Sequence, residues 1–208
     1  MWAITRESSS DVYLEASIFP KDGYPFSLKM ELCYLITSTG LKITISAINV
    51  GEDIAPYGAG FHPYFSAGTT NCVDNLELAF LSNFHLENDE STLTPTGVAI
   101  SDDTKFSFHK KRKLSSRKIN HSFKVSPDFN PLIQISNPEG KIFEVRPIKG
   151  VEWIHVYTFD FASENVARTA IAIEPMTCPG NSFNNGYNLI WLKPLESHVF
   201  SFEIAMSD

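Results

Sequence analysis

The chain has 208 residues, of which 43% are hydrophobic and 20% charged, with a formal net charge of −7. That length buries a full core and points to one soluble globular domain spanning 1–208. The acid excess excludes a protein whose affinity comes from neutralising phosphates, so no nucleic-acid partner is expected.

The N-terminus, "MWAITRESSSDVYL", is polar and has no apolar core of the signal-peptide kind. No apolar run is long enough to span a bilayer, so no membrane association is expected. Cys33, Cys72 and Cys178 are far apart in the chain and form no CxxC pair. A disulfide framework or zinc knuckle is therefore not expected, and a reducing cytoplasm fits best.

Period-two alternation dominates from there on. "DVYLEASI" places Val12, Leu14, Ala16 and Ile18 on one face. "FSLKMELCYLIT" does the same with Phe26, Leu28, Met30, Leu32, Tyr34 and Ile36, and "LKITISAIN" with Leu41, Ile43, Ile45 and Ala47. This is the pattern of half-buried strands. Later stretches, "KIFEVRPI", "WIHVYTF", "TAIAIE" and "HVFSFEIAM", continue it. Turn signals such as "PKDGYP", "STG", "NVGED", "NPEG" and "CPGN" separate the runs. No long segment has a clean helical period. The pattern predicts an all-β antiparallel sandwich or barrel. Residues 82–130 are the least regular and are expected to form long loops over the sheet. Within them "HKKRKLSSRK" at 109–118 reads as a solvated loop, with an anion patch as the alternative.

Three places can carry chemistry. In "GAGFHPYF", residues 58–65, the glycines permit a tight turn or close approach. Pro63 drives His62 toward an extended backbone. Phe61, Tyr64 and Phe65 then line a cleft around an imidazole able to move a proton near neutral pH. A packed histidine bonded to a backbone carbonyl is the other reading. In "TAIAIEPMTCPGNSFN", Ala170, Ala172 and Glu174 face one way and Ile171 and Ile173 the other, with Pro175 expected to stop the strand. A carboxylate in a partly dry cleft becomes a usable general base; a solvated strand-end carboxylate would not. In "WIHVYTF", Trp153, His155, Tyr157 and Phe159 share a face by parity, which suits either a sugar ring or an aromatic core. His85, His109, His121 and His198 lack HxH or HExxH spacing, so no metal site is expected. With no GxSxG elbow, Walker loop or dinucleotide fingerprint either, any reaction is expected to need no cofactor.

"APYGAGFHPYF", followed by "AIAIEPMTCPGNSFNNG" and "LIWLKPLESHVFSFEI", resembles the aldose 1-epimerase (mutarotase) family. The likeness covers nearly the whole chain and includes "LTPTG", "INHSFKV" and "WIHVYTF". It implies the antiparallel β-sandwich of galactose mutarotase, the supersandwich, and a cofactor-free interconversion of the α and β anomers of a free hexose. It also implies His62 as the acid at the ring oxygen and Glu174 as the base at the C1 hydroxyl. Tyr64, Asn120 and His155 are implied as sugar contacts, His155 standing where many relatives carry a sugar-contacting glutamine. Two alternatives stay open: a carbohydrate-binding protein that keeps the fold without catalysis, and a hexose-6-phosphate 1-epimerase using the basic run.

Two departures from the family pattern stand out. Asn120 occupies a place usually held by Asp, and an amide lacks the charge-assisted strength of a carboxylate. The family's upstream segment, with an arginine and a second histidine that hold the sugar, has no counterpart before Met1. An N-terminally shortened sandwich is therefore expected to expose a sheet edge, to form a homo-oligomer through it, and to show weakened activity.

Overall fold

In a computed structural model, residues 1–89, 91–100, 106–126, 130–161, 163 and 166–207 are described. The chain opens with β1 (Ala3–Glu7), β2 (Asp11–Ile18), β3 (Leu28–Ile36) and β4 (Gly40–Asn49), a meander of antiparallel neighbours. Short strands follow: β5 (Ala55–Tyr57), β6 (Tyr64–Ser66), β7 (Glu77–Phe80), β8 (Ser82–Asn88), β9 (Pro95–Ile100) and β10 (Arg112–Lys113). The remainder are β11 (Asn120–Val125), β12 (Ile133–Ser136), β13 (Ile142–Lys149), β14 (Trp153–Tyr157), β15 (Ala170–Met176), β16 (Ile190–Leu192) and β17 (Ser197–Ser207).

Two sheets make the sandwich. One has nine strands in the order β1-β2-β3-β4-β17-β13-β12-β7-β10, the other six in the order β6-β15-β14-β11-β8-β9. β5 and β16 form a separate two-stranded ribbon. The alternation seen in the sequence sets which face is inward. From the larger sheet Ile43, Val145, Ile133, Leu78, Phe200 and Phe202 enter the core; from the smaller, Phe65, Ile171, Ile173, Ile154, Val156 and Phe123 meet them. Each is 6% exposed or less, so each contributes about 1.5–3 kcal/mol of apolar burial. Alternation left a sandwich or a barrel open; the antiparallel sandwich that the family resemblance implies is the architecture found. Among the described residues no helix is long and apolar enough to cross a membrane.

Three local expectations need correction. Residues 82–130 are not chiefly loop: β8, β9, β10 and β11 lie there, and β8 and β11 sit inside the smaller sheet. Their alternation escapes a sequence reading because His85 and Ser122 occupy buried positions that an apolar pattern does not anticipate. Residues 90, 101–105 and 127–129 of that span fall outside the described residues. Pro175 does not end its strand, which runs on to Met176. The Pro175 carbonyl accepts from the Phe61 amide, so the N–H that proline lacks would have pointed to that same side, and the ladder to β14 loses nothing. Phe61 and Phe65 do not line a cleft. Phe61 packs on Tyr34 and Phe202, and Phe65 on Phe143, inside the sandwich.

The basic run is folded down rather than solvated throughout. Leu114 is fully buried, Lys111 pairs with Glu77 at 3.6 Å, and Arg117 donates to the Lys113 and Leu114 carbonyls. Arg168 clamps the run to the body. Its guanidinium donates to Asp74 and Asp160 and to the carbonyls of Ser115 and Arg117.

Candidate functional site

The stretch 59–63 is not a free loop. It carries the antiparallel pairing of β6 with β15 onward: the Ile173 amide donates to Pro63, the Phe61 amide to Pro175 and the Thr177 amide to Ala59, with a bridge between Gly60 and Met176. The register of β6 on β15, Tyr64 opposite Ala172, thereby continues and sets His62 opposite Glu174. Glycine is needed for this close approach. A Cβ on Gly58 would collide with the Cys178 sulfur, and one on Gly60 would lie 3.0 Å from Met176 Cγ.

Cross-strand pairs share a face. Two rows therefore cross the outer face of the smaller sheet. One runs His62, Glu174, His155, Ser122; the other Tyr64, Ala172, Tyr157, Asn120. All five residues singled out in the sequence, His62, Tyr64, Asn120, His155 and Glu174, stand in these two rows.

At one end His62 Nε2 lies 3.1 Å from Glu174 Oε1. The Glu174 side chain is only 16% exposed, against 51% for His62. Burial pushes the Glu174 carboxyl above the ordinary carboxylate range, and the imidazole of His62 partly opposes it. This is a desolvated carboxylate against an accessible imidazole, an arrangement able to move protons on a molecule resting on the face.

At the other end His155 is held at both nitrogens. Ser122 Oγ lies 2.9 Å from Nδ1 and Asn120 Oδ1 lies 2.8 Å from Nε2. An amide oxygen only accepts, so Nε2 carries the proton and Nδ1 accepts from the Ser122 hydroxyl. Burial lowers the His155 pKa to about 4, with His121 and His62 adding repulsion. The ring is therefore neutral at pH 7, and its Nε2–H bond turns the Asn120 amide NH2 group away from His155. His155 thus orients Asn120 and offers no spare ring nitrogen of its own.

Aromatic rings extend the face. Tyr64 lies 4.9 Å from His62 and 5.4 Å from Phe159; Phe159 meets Tyr157, and Tyr157 stacks on Phe161. Parity assigned Phe159 to this face as part of a strand. It lies beyond the end of β14, in the left-handed region at φ 58°, and returns to the face through that bend. Trp153 shares the parity but is buried, its indole N–H donating to Asn188. Sequence reasoning missed Ser122 and Phe161. Ser122 shares strand parity with Asn120, which was a usable signal, but its meeting with His155 depends on the register of β11 and β14.

A cavity of about 530 Å³ adjoins the Asn120 end, lined by Glu87, Asp89, Lys118, His121 and Asp160 among others. Of the basic run only Lys118 reaches it, and among the described lining residues it faces Glu87, Asp89 and Asp160, the last already paired with Arg168. A charge balance of that sign repels a phosphate.

Comparison with known proteins gives a consistent result. The family model described as aldose 1-epimerase matches residues 1–205. The uncharacterized protein YihR of Escherichia coli (strain K12) is 32% identical over 204 residues, which is 98% of this chain and 64% of that protein. The chain thus spans somewhat less than two thirds of the length of this curated relative. Among solved structures, the GalM/aldose epimerase homologue from C. elegans matches with a TM-score of 0.87 at 18% identity, covering 99% of this chain and 68% of that one. The galactose 1-epimerase from Lactobacillus acidophilus NCFM matches with a TM-score of 0.78 at 20% identity, covering 99% and 66%. At these identities the structural likeness speaks for the fold.

Proposed function

The chain belongs to the aldose 1-epimerase family, and on that premise we propose that it interconverts the α and β anomers of a free aldose by acid–base ring opening at His62 and Glu174. The observation that carries this reading is the 3.1 Å approach of His62 Nε2 to Glu174 Oε1. It joins a desolvated carboxylate to an accessible imidazole on a face bordered by aromatic rings.

Glu174, ionised, removes the proton of the C1 hydroxyl. The electron pair left on O1 forms the C1 carbonyl, the C1–O5 bond breaks, and its electrons pass to O5, which takes a proton from His62. Rotation about C1–C2 presents the other face of the aldehyde. In the reverse steps His62 takes the O5 proton as O5 attacks C1, and Glu174 returns a proton to O1. Because O1 and O5 are bonded to the same carbon, the acid and base must stand close together, and they do. In the absence of sugar the two groups lie 3.1 Å apart, with no room for a substrate atom between them, so binding separates them.

Tyr64, 48% exposed beside His62, supplies an apolar surface for the C–H patches of a sugar ring. The Asn120 NH2 group, turned out by His155, supplies a donor for a hydroxyl oxygen. The excess of carboxylates near Asn120 favours a neutral sugar over a hexose 6-phosphate.

Saturation-transfer NMR between the anomers of glucose or galactose tests this. Protein-dependent exchange that falls by ~10²–10⁴ in both His62→Ala and Glu174→Gln is expected. Sugar-dependent shifts of Tyr64 and Asn120 without any exchange would replace the enzyme reading with a binding protein of the same fold.

A further inference from the structure

The smaller sheet carries a second cluster on its inner side. His85 and Glu87 lie two residues apart on β8 and so share a face. β11 pairs with β8 through Phe123 opposite His85; the same register continued by two residues sets His121 opposite Glu87. His85 Nε2 is 2.9 Å from Glu87 Oε1, and His121 Nε2 is 3.8 Å from Glu87 Oε2. One carboxylate thus bridges two imidazoles, and the three potential ligand atoms lie within 4.8 Å of one another.

We propose that His85, Glu87 and His121 form a binding site for a divalent transition-metal ion of the zinc class.

The donor set is the first reason. Two imidazoles and one carboxylate match a three-ligand zinc site with a coordination position left open. Bonds of about 2.0–2.2 Å in a tetrahedral site put the ligand atoms roughly 3.4 Å apart, so the present spread, within 4.8 Å, must close by up to ~1.4 Å, which rotation of the exposed Glu87 side chain and of His121 supplies. The mounting is the second. All three groups stand on hydrogen-bonded neighbouring strands. His85, 3% exposed, is packed against Phe106 at 4.9 Å and Phe123 at 5.6 Å, and His121 lies 4.6 Å from Phe106. Rings held by aromatic packing give a preorganised pair of donors.

Access and charge are the third. Glu87 and His121 line the cavity of about 530 Å³ that also holds Asp89, Lys118 and Asp160, the last already paired with Arg168, so among the described lining residues the carboxylates outnumber the ammonium groups. A negative cavity draws cations and leaves room for water or a ligand at the open position. The structure also names the cost. His121 Nδ1 accepts from the Asn120 amide at 3.1 Å, so a metal bond at Nε2 moves the ring proton to Nδ1 and gives up that contact. Occupancy is thereby felt at Asn120, on the opposite face of the same strand. The site does not depend on the epimerase reading. A histidine pair separated by 35 residues, with its carboxylate donor on the earlier strand, has no spacing motif, which is why the sequence hid it.

Titration of the intact protein with Co²⁺, followed by displacement with Zn²⁺, tests the proposal. Expected are one equivalent bound, intense visible d–d bands of low-coordinate cobalt, and competition by zinc. His121→Ala and Glu87→Gln should each weaken binding at least ~10-fold, while His62→Ala leaves it unchanged. Circular dichroism on the metal-free variants checks that they fold, and His121→Gln serves as a second variant. No saturable cobalt spectrum would overturn the proposal. So would a spectrum unaltered in folded His121 and Glu87 variants, or thiolate charge-transfer bands that vanish in Cys72→Ser or Cys178→Ser.

Discussion

Asn120 Oδ1 accepts a hydrogen bond from His155 Nε2 at 2.8 Å, and that bond decides what each residue presents to the face of the smaller sheet. It commits the imidazole to one tautomer, with Ser122 closing the other nitrogen, and turns the amide NH2 of Asn120 away from His155.

Asn120→Asp tests this relationship directly. A carboxylate in place of the amide stabilises the imidazolium, so the His155 pKa, lowered to about 4 chiefly by burial, should rise. The measurement is an NMR titration of the His155 ring; an unchanged value in a folded variant would dissolve the pairing. The same group makes stability pH-dependent. His155 titrates lower folded than unfolded, so between about pH 6.5 and 4 the unfolded state binds more protons, and stability is lost as pH falls through that window. The loss is at most roughly 3 kcal/mol, and urea midpoints should fall less steeply with pH in His155→Gln.

As the proposed base, Glu174 sets the acid limb of the expected pH profile. Its carboxyl is raised by burial, and a base acts only when ionised, so exchange should fade as pH drops through a value above the ordinary carboxylate range. His62 opposes that rise. Removing the imidazole in His62→Asn should push the Glu174 titration higher still, readable by carbon NMR of the labelled carboxyl. A downward shift would contradict the geometry.

Arg168 is the structural counterpart of the site. Asp160, 6% exposed, relies on it, as does the folded-down basic run. Arg168→Ala leaves a buried carboxylate without its cation and should cost ~3 kcal/mol or more in chemical denaturation, whereas an exposed pair such as Lys29–Glu15 should cost under ~1 kcal/mol.

β1 is the edge of the nine-stranded sheet and is exposed along its whole length, with Ile4 and the preceding Trp2 open to solvent. Among the described residues no strand pairs with its outer side, and a free edge carrying exposed apolar side chains is a template for another strand. Self-association is expected in light scattering, concentration-dependent and reduced in Ile4→Lys. A clean monomer at high concentration would remove the edge from consideration.

Alternation alone made β2, β3, β4, β13, β14, β15 and β17 legible, because a period of two is written into each local stretch and needs no partner to be read. The same locality exposed Glu174 on the face opposite Ile171 and Ile173, and the extended backbone that Pro63 imposes on His62. What lay beyond it was every relation between strands. That His62 stands opposite Glu174, and Glu174 opposite His155, follows from the pairing of 59–66 with β15 and of β15 with β14, over a hundred residues apart in the first case. The same is true of Ser122 against His155, and of His85, Glu87 and His121 on neighbouring strands. Side-chain parity is a property of one strand and is fixed by covalent geometry. Register is a property of two strands, fixed only when their hydrogen bonds and buried faces are satisfied together, and the candidate chemistry of this protein lies in its registers.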